Sequence, residues 1–368
     1  MTLFGPEELS QQILDPGLCT LCGACANICP YIKAHNNKIV TIFSCDRTEG
    51  RCYAHCPKVG ALLDKMSQFY KAQSFTENPI GEYIKIIKAR KGVRAPEGDF
   101  QNSGVVSSLI IFAMEKGLID AALLTGKDGI NPVPTVVNNR DGVLECAGSK
   151  YIASPVLSMM GQASDSGIEK LGIVGTPCQI TALSQIRQNP LGLEEFKNNT
   201  ALSIGLFCTW ALDGEKFMKY LAPKKDIESI KSMDIPPPPA EKLIVKCEDS
   251  FMEFPLNEIR KLKLAGCGIC PDMTSELSDI SVGALEGFNG WNTLIIRSEK
   301  GEQLVSEAMD QGFLEIGTLP DKCFKNLIIG AVNKREQAVK KCMELGMLDD
   351  DFKKAANLKD KQTITGVS

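Results

Sequence analysis

Cys19, Cys22, Cys25 and Cys29 stand in the run CTLCGACANICP, a C-x2-C-x2-C-x3-C-P spacing. That spacing suits a 4Fe-4S cluster of the bacterial ferredoxin type. Three thiolates on one tight loop grip one face of a cubane, and the fourth, followed by Pro30, reaches across to a second cluster. The chemistry this permits is one-electron transfer. The plainer alternatives are a zinc knuckle or a cluster that only stabilises the fold. Zinc sites usually split their cysteines into two pairs with a longer gap between, which is not the pattern here.

A second group follows in SCDRTEGRCYAHCP, where Cys45, Cys52 and Cys56 end on the same C-x3-C-P. In a two-cluster arrangement Cys19, Cys22 and Cys25 take Cys56 as fourth ligand, and Cys45 and Cys52 share Cys29. The second set then holds three thiols, with Glu49 at the place of the missing middle ligand. That site uses a non-cysteine ligand, holds one iron fewer, or borrows a thiolate. His55, directly before a ligand, reads as a polar neighbour.

A third group lies at the ends of apolar strands. In GIVGTPCQ the strand ends in Gly175, Thr176, Pro177, Cys178 and Gln179 before a helix. Ligands sit at this edge of an α/β sheet. Cys208 ends IGLFC in the same way, and AGCGICPD supplies Cys267 and Cys270, with Asp272 and Asp279 behind. Cys178, Cys208, Cys267 and Cys270 make four thiols, enough for one further cluster. Taken singly, Cys178 and Cys208 would read as small buried hydrophobes. Cys146, Cys247, Cys323 and Cys342 belong to no motif and read as structural.

Two segments offer a cradle for phosphate. NSGVVSSL puts small residues and backbone N–H groups at a helix start, and AGSKY adds a glycine, a hydroxyl and Lys150 after a strand. Neither is a G-x-G-x-x-G fingerprint, so an ordinary Rossmann site is not expected. Clusters that carry single electrons need a converter when the substrate gives or takes two, and a flavin is the common one.

The elements that must position these residues can be read coarsely. Residues 59–75 have helical apolar spacing and close the cysteine-rich module. Residues 76–82 look like a linker. IKIIKARKG reads as a strand, and VVSSLIIFAMEKGLI as a helix capped by Asn102 or Ser103. AALLTG, PVPTVVNN, GVLECA and ALSIGLFC read as strands, PVLSMMGQA as a helix, and EKLGIVGTPCQITALSQIRQ as strand, turn and helix. The alternation over 83–210 predicts an α/β domain with a largely parallel or mixed sheet. Four prolines at 236–239 break the chain before a more irregular β part, and 327–356 reads as a long charged helix.

Bulk properties agree with a globular redox protein. The chain has 368 residues, 43% of them hydrophobic, a net charge of −4, and 15 cysteines. No basic tract points to nucleic acid as a partner. No apolar run approaches the ~18 residues of a membrane span. The start shows no basic segment leading into an apolar run, so a signal peptide is not expected. The cysteine-rich composition then implies a reducing cytoplasm and metal clusters rather than disulfides.

The series NSGVVSSLIIFAMEKGLID, AGSKYIASP, GIVGTPCQI, IGLFC and CGICPDMTSELSDISVGALEG resembles the beta-subunit family of coenzyme F420-reducing hydrogenase and F420-dependent formate dehydrogenase. The resemblance covers about residues 80–320, with the motifs in the same order. It implies a ferredoxin-like iron–sulfur module at 1–76, fused to a mixed α/β FAD-binding domain at 80–320 and followed by a helical tail at 321–368. By position it implies an FAD site of Asn102, Ser103, Gly104, Ser107, Ser149, Lys150, Tyr151, Thr176 and Pro177. It assigns a cluster to Cys178, Cys208, Cys267 and Cys270. Two departures stand out: Ser103 stands where two consecutive glycines are frequent, and the second ferredoxin motif is stretched to C-x6-C.

The expected cofactors are therefore FAD and two or three 4Fe-4S clusters. Acid–base side chains are not needed, because hydride transfer at a flavin depends on stacking and positioning. Lys150 would stabilise a reduced anionic flavin or a phosphate, or else be a solvated surface lysine. The expected function is an electron-transfer oxidoreductase subunit, linking a two-electron carrier such as coenzyme F420 to a hydrogenase, formate dehydrogenase or heterodisulfide-reductase-like complex. A relative using NAD(P)H, ferredoxin or a heterodisulfide-reductase-type partner is the first alternative. A non-enzymatic redox sensor is the second.

Overall fold

The computed structural model describes residues 3–59 and 78–348, except positions 99, 195, 197, 225–226, 237–239 and 249. The helix expected over 59–75 lies almost wholly outside these residues, as do most of the proline run and the end of the expected C-terminal helix.

The cysteine-rich segment is built from short pieces. A helical turn at Pro6–Leu9 runs on into Ser10–Leu14, and a hairpin pairs β1 (Ile32–His35) with β2 (Lys38–Thr41). Asn36 and Asn37 turn that hairpin with φ of 46° and 58°. Two successive positive φ values are what a tight hairpin turn requires, and asparagine tolerates them. One helical turn, Arg51–Ala54, follows. Leu9, Ile13, Leu18, Ile32 and Tyr53 form the apolar core here, with Cys25, Cys52 and Cys56 buried among them. Ile269, Ala338, Val339 and Cys342 belong to the same core. So small a segment has little apolar surface of its own to bury, and it is completed by the rest of the chain.

The larger part is a mixed α/β structure. Its strands are β3 (Lys85–Lys91), β4 (Ala121–Asp128), β5 (Asn131–Val137), β6 (Leu171–Gly175), β7 (Thr200–Leu206), β8 (Ile230–Asp234), β9 (Lys242–Cys247), β10 (Phe251–Pro255), β11 (Ile280–Ala284), β12 (Asn292–Ile296) and β13 (Leu314–Gly317). Eight of them form one sheet in the order β13-β3-β12-β11-β7-β6-β4-β5, and β8, β9 and β10 form a separate antiparallel sheet. The inner strands β4, β6, β7 and β11 are parallel, and the outer pairings are antiparallel. Every residue of β6 and β12 is buried, as expected of strands covered on both faces.

Two core clusters hold the sheet. In one, Leu109 and Phe112 of helix Val105–Glu115 and Leu304 and Val305 of helix Glu299–Asp310 pack with Ile204, Val282 and Leu294. In the other, Ile180 and Leu183 of helix Pro177–Arg187 pack with Leu171, Ile173, Val156 and Leu157, and the cluster extends to Cys22 and Ala24.

The structure corrects three local readings. GVLECA is not a strand; the chain there is helix Arg140–Glu145. The Asn139 side chain accepts the Gly142 N–H at 2.9 Å and caps it, and Asp141 favours the first turn. Neither Asn102 nor Ser103 caps Val105–Glu115: its N-cap is Gly104 at φ 73°, with no side-chain bond. The Ser103 hydroxyl donates instead to Asn292 Oδ1. The last described helix spans Asp321–Glu344, starting earlier than expected. It is firmly packed, burying Cys323, Ala331, Lys334, Arg335, Ala338, Val339 and Cys342. Arg335 and Glu276 form a buried ion pair at 2.8 Å.

Candidate iron-sulfur and cofactor site

Topology brings the candidate residues to one edge of the sheet. Strands β6 and β7 are parallel, so Thr176–Cys178 and Cys208 leave the same edge. Strand β3 runs parallel to β11 through the intervening antiparallel β12, so its end at Lys91 lies on that edge too. The Lys91 N–H donates to Ser103 O at 2.9 Å, which fixes the segment before Gly104 there. Asn292, the first residue of antiparallel β12, arrives from the same side to meet Ser103. The carboxyl edge of parallel strands is where α/β sheets bind ligands.

The thiols fall into three neighbouring sets. Cys19, Cys22, Cys25 and Cys56 line one cavity together with Leu9, Ile13 and Lys58. Burial holds the Cys22 thiol well above its usual range, and the charges of Cys178, Cys56 and Cys25 add to this. Burial likewise raises Cys25, followed by Cys56, Cys19 and Cys52, and it carries Cys56 up to about 12. Cys52 faces Cys29 and Cys45, so those three form the second set. Cys208, raised mainly by burial to about 12, faces Cys267, Cys178 and Cys270. Cys267, raised mainly by burial to about 11, faces Cys178 and Cys270. Cys178, Cys208, Cys267 and Cys270 therefore form the third set.

This grouping fits iron clusters. Buried thiols that repel one another ionise reluctantly, and iron supplies the opposing charge that a thiolate ligand needs. Among the described residues, no three His, Cys, Asp or Glu side chains close on one point as they would around a single ion. Beside the second set, Glu49 is exposed. His55 is buried and held neutral, its pKa lowered to about 4 first by burial and then by Arg51.

The sets adjoin in series. Cys178 faces Cys19 and Cys22, and Cys25 faces Cys52. The order from the sheet edge outward is third set, first set, second set. Cys178 occupies the first turn of helix Pro177–Arg187, where Thr176 and Gln179 form a capping box and Thr176 Oγ1 lies 3.4 Å from Cys178 Sγ.

Two lysines that sequence reasoning passed over are buried beside these thiols. Lys58 faces Cys270, Cys178 and Cys267, and the Lys334 ammonium donates to Cys208 O. Burial alone would raise Cys270, but the two lysines outweigh it and bring that thiol below its ordinary value. Lys58 follows Cys56-Pro57 directly, a placement that could have drawn notice. Lys334 sits on a distant helix and carries no local signal.

The proposed flavin residues are brought together in part. The Ser149 N–H donates to Gln101 Oε1 at 3.0 Å, and Gln101 Nε2 donates to the Tyr151 hydroxyl at 2.6 Å. The Tyr151 hydroxyl also accepts the Ile235 N–H at 2.9 Å, and burial pushes its pKa up to about 12, so it stays protonated. Asn102, Ser103, Gly104 and Ser107 surround the start of helix Val105–Glu115. A Cβ at Gly104 would meet the Phe100 ring at 2.8 Å, so the backbone there stays uncovered by a side chain of its own. Lys150 does not point its charge into solvent. Its Nζ donates to the carbonyl oxygens of Cys146, Ala147 and Gly148, at the end of helix Arg140–Glu145.

Known proteins resemble this chain in sequence and in fold. Residues 86–160 match the N-terminal part, and 168–322 the C terminus, of the family described as coenzyme F420 hydrogenase/dehydrogenase, beta subunit. Residues 13–31 match a 4Fe-4S binding domain. A coenzyme F420-dependent sulfite reductase of Methanocaldococcus jannaschii is 32% identical over 80% of this chain, which spans only 46% of that protein. The beta subunit of a coenzyme F420 hydrogenase from Methanothermobacter thermautotrophicus is 31% identical over 64% of this chain and 85% of its own. Among solved structures, a chain of the F420-reducing NiFe hydrogenase complex from Methanosarcina barkeri superimposes with a TM-score of 0.65. It is 26% identical and covers 72% of this chain and 93% of its own. No helix among the described residues is long and apolar enough to cross a membrane.

Proposed function

This chain belongs to the coenzyme F420 hydrogenase/dehydrogenase beta-subunit family, and we propose that it passes electrons between a two-electron carrier and a partner oxidoreductase. The observation that carries this reading is the serial adjacency of the thiol sets, from the sheet edge through Cys178 to Cys19, Cys22, Cys25 and Cys56, and on to Cys52. A chain of one-electron clusters that serves a two-electron carrier needs a converter at the end where that carrier binds. FAD, when bound at the sheet edge, supplies that conversion between paired and single electrons.

In this reading the backbone around Gly104 and the first turn of helix Val105–Glu115 hold the FAD pyrophosphate, with Asn102, Ser103 and Ser107 beside it. Ser149 and Tyr151, tied to Gln101, position the second wall. Thr176 and Pro177 set the start of the helix that carries Cys178 and would line the cofactor at that sheet edge. Lys150, already engaged by three carbonyls, firms the 146–150 turn and adds positive charge near it. The outer end is the set of Cys29, Cys45 and Cys52. Beside it Tyr31, Ile42 and Phe43 are 39%, 50% and 62% exposed, an apolar face suited to a docking redox partner. Its relatives include beta subunits of coenzyme F420 hydrogenases, which favours a hydrogenase-type partner complex and coenzyme F420 as the carrier; a formate dehydrogenase or heterodisulfide-reductase-like complex is the other partner in this reading.

Anaerobic purification and rapid-mixing spectroscopy test this. The protein should hold flavin and about 8–12 irons per chain, at four per full cluster. Reduced F420 should bleach the flavin first and the cluster absorbance after it. Full iron without flavin would sink the FAD site. Iron near four atoms would remove the N-terminal pair. Bleaching by NAD(P)H but not by reduced F420 would replace the carrier and keep the wire.

A further inference from the structure

We propose that Lys58 and Lys334 are positioning charges that make the cluster of Cys178, Cys208, Cys267 and Cys270 easier to reduce than its neighbours, so that it draws electrons from the sheet edge. This rests on the reading that those four thiols hold a cluster.

The placement is unusual for lysine, which is almost never fully buried without a partner. Lys58 is 2% exposed and Lys334 is 9% exposed. The strongest charge neighbours of Lys58 are three thiols of one set, in the order Cys270, Cys178, Cys267. Lys334 faces Cys270, Cys208, Asp272 and Cys267, and its ammonium donates to Cys208 O. Two ammonium groups thus converge on one set of four thiols. They arrive from different parts of the chain, one just after the ferredoxin-like motif and one on helix Asp321–Glu344.

Asp272 sits close by, but its carboxylate is held elsewhere as well. Its oxygens accept the N–H groups of Thr274, Ser275 and Glu276 at 2.9, 2.8 and 3.0 Å. It shapes the turn after Cys270 and neutralises only part of the lysine charge.

A 4Fe-4S cluster on four thiolates gains one electron on reduction, and no bond to carbon forms or breaks. The added negative charge is stabilised by nearby fixed cations, most strongly where water is excluded. Net charge and burial are among the terms that set a cluster's potential. The two lysines differ in reach. Lys58 also lines the cavity of Cys19, Cys22, Cys25 and Cys56 and faces Cys19 and Cys56, so it stands between two sets. The thiols that Lys334 faces, Cys270, Cys208 and Cys267, belong to the third set.

An anaerobic reductive titration of the full chain, followed by the electron paramagnetic resonance of each cluster, tests the proposal. Lys334→Met should make the third cluster at least tenfold harder to reduce, a drop of about 59 mV for one electron, and leave the others in place. Lys58→Met should lower both the third cluster and that of Cys19, Cys22, Cys25 and Cys56. Lys334→Arg, which keeps the charge, should stay near wild type. Should Lys334→Met lose iron, Lys334→Gln, neutral and still able to donate to Cys208 O, carries the same measurement. Loss of the cluster in both would replace tuning by a purely structural role and overturn the proposal. So would unchanged potentials with full iron and flavin. A wild-type protein with no third-cluster signal would sink the underlying reading instead, before any variant is made.

Discussion

Replacing Cys178 by alanine separates a ligand from a packing residue. The change removes one sulfur atom from a partly buried side chain in the first turn of helix Pro177–Arg187. The capping box of Thr176 and Gln179 does not involve the thiol and survives. The side-chain hydrogen bond lost is the 3.4 Å contact with Thr176 Oγ1. As packing alone, the substitution should cost about 1 kcal/mol, a fall in melting temperature of about 1–2 °C for a protein of this size. As a ligand, Cys178 should take its cluster with it, a loss of about four irons per chain. Cys178 faces Cys208 and Cys267 on one side and Cys19 and Cys22 on the other. Its loss should therefore leave flavin reduction intact and slow the onward step to the N-terminal clusters by orders of magnitude. Iron analysis and rapid mixing with a two-electron donor read both effects in one preparation. Full iron and an unaltered onward rate would refute the assignment of Cys178, whatever the stability change.

Other expectations follow from the same contacts. Arg335→Met removes the guanidinium that pairs with Glu276 at 2.8 Å in a buried site and should destabilise the fold by about 3–5 kcal/mol in urea titrations; a loss under 1 kcal/mol would show that the pair is replaceable. In Gly266→Ala the added Cβ would lie 2.0 Å from Leu18 O, forcing the N-terminal segment away from the third set; onward electron transfer should slow with both adjoining clusters present, and an unchanged rate would show that the segment simply shifts. Lys150 has its pKa lowered from 10.5 to about 8, chiefly by burial. The unfolded chain therefore binds more protons between pH 8 and 10.5, and stability relative to Lys150→Met should rise with pH across that window and be flat below it. Parallel urea midpoints for the two proteins that keep a constant gap from pH 7 to 10.5 would contradict the shift.

The chemistry was more legible in the sequence than the local structure around it. Thiol spacing is a covalent property of the chain, so a partition of Cys19, Cys22, Cys25 and Cys56 from Cys29, Cys45 and Cys52 can be proposed from it; in the structure Cys22 and Cys25 neighbour Cys56, and Cys52 neighbours both Cys25 and the pair Cys29 and Cys45. Cys178, Cys208, Cys267 and Cys270 are scattered along the chain, yet two of them end parallel strands, and strand ends share an edge. Where local signals competed, the reading failed. GVLECA has the short apolar look of a strand, but Asn139 and Asp141 begin a helix just before it, and a cap outweighs the weak propensity of a few residues. Gly104 took the cap expected of Asn102 or Ser103, because a left-handed residue is needed where the chain turns from β3 toward the helix. Lys334 was invisible because its importance comes from a contact made 126 residues away, with Cys208.

The ferredoxin-like segment meets the 155–158 turn at close range, which is the contact the proposed passage of electrons needs. Backbone meets backbone there with almost nothing between. A Cβ at Gly23 would lie 2.4 Å from Pro155 O, and the Leu157 N–H donates to Cys22 O at 3.1 Å. Asn27 Nδ2 donates to Ser158 O at 3.2 Å. Glycines at such places allow close approach rather than flexibility. On the other side, Ala338, Val339 and Cys342 of the last helix share a core with Leu9, Ile13 and Tyr53. The segment is thus held between a turn before the Met160–Asp165 helix and the Asp321–Glu344 helix. Two domains meeting through ordinary side chains would leave their metal sites farther apart and free to shift. Here the apolar surface that the small segment needs for its own stability is supplied by the elements that carry Cys270's neighbours and Lys334. Folding of the segment and closeness of the thiol sets are consequences of one interface.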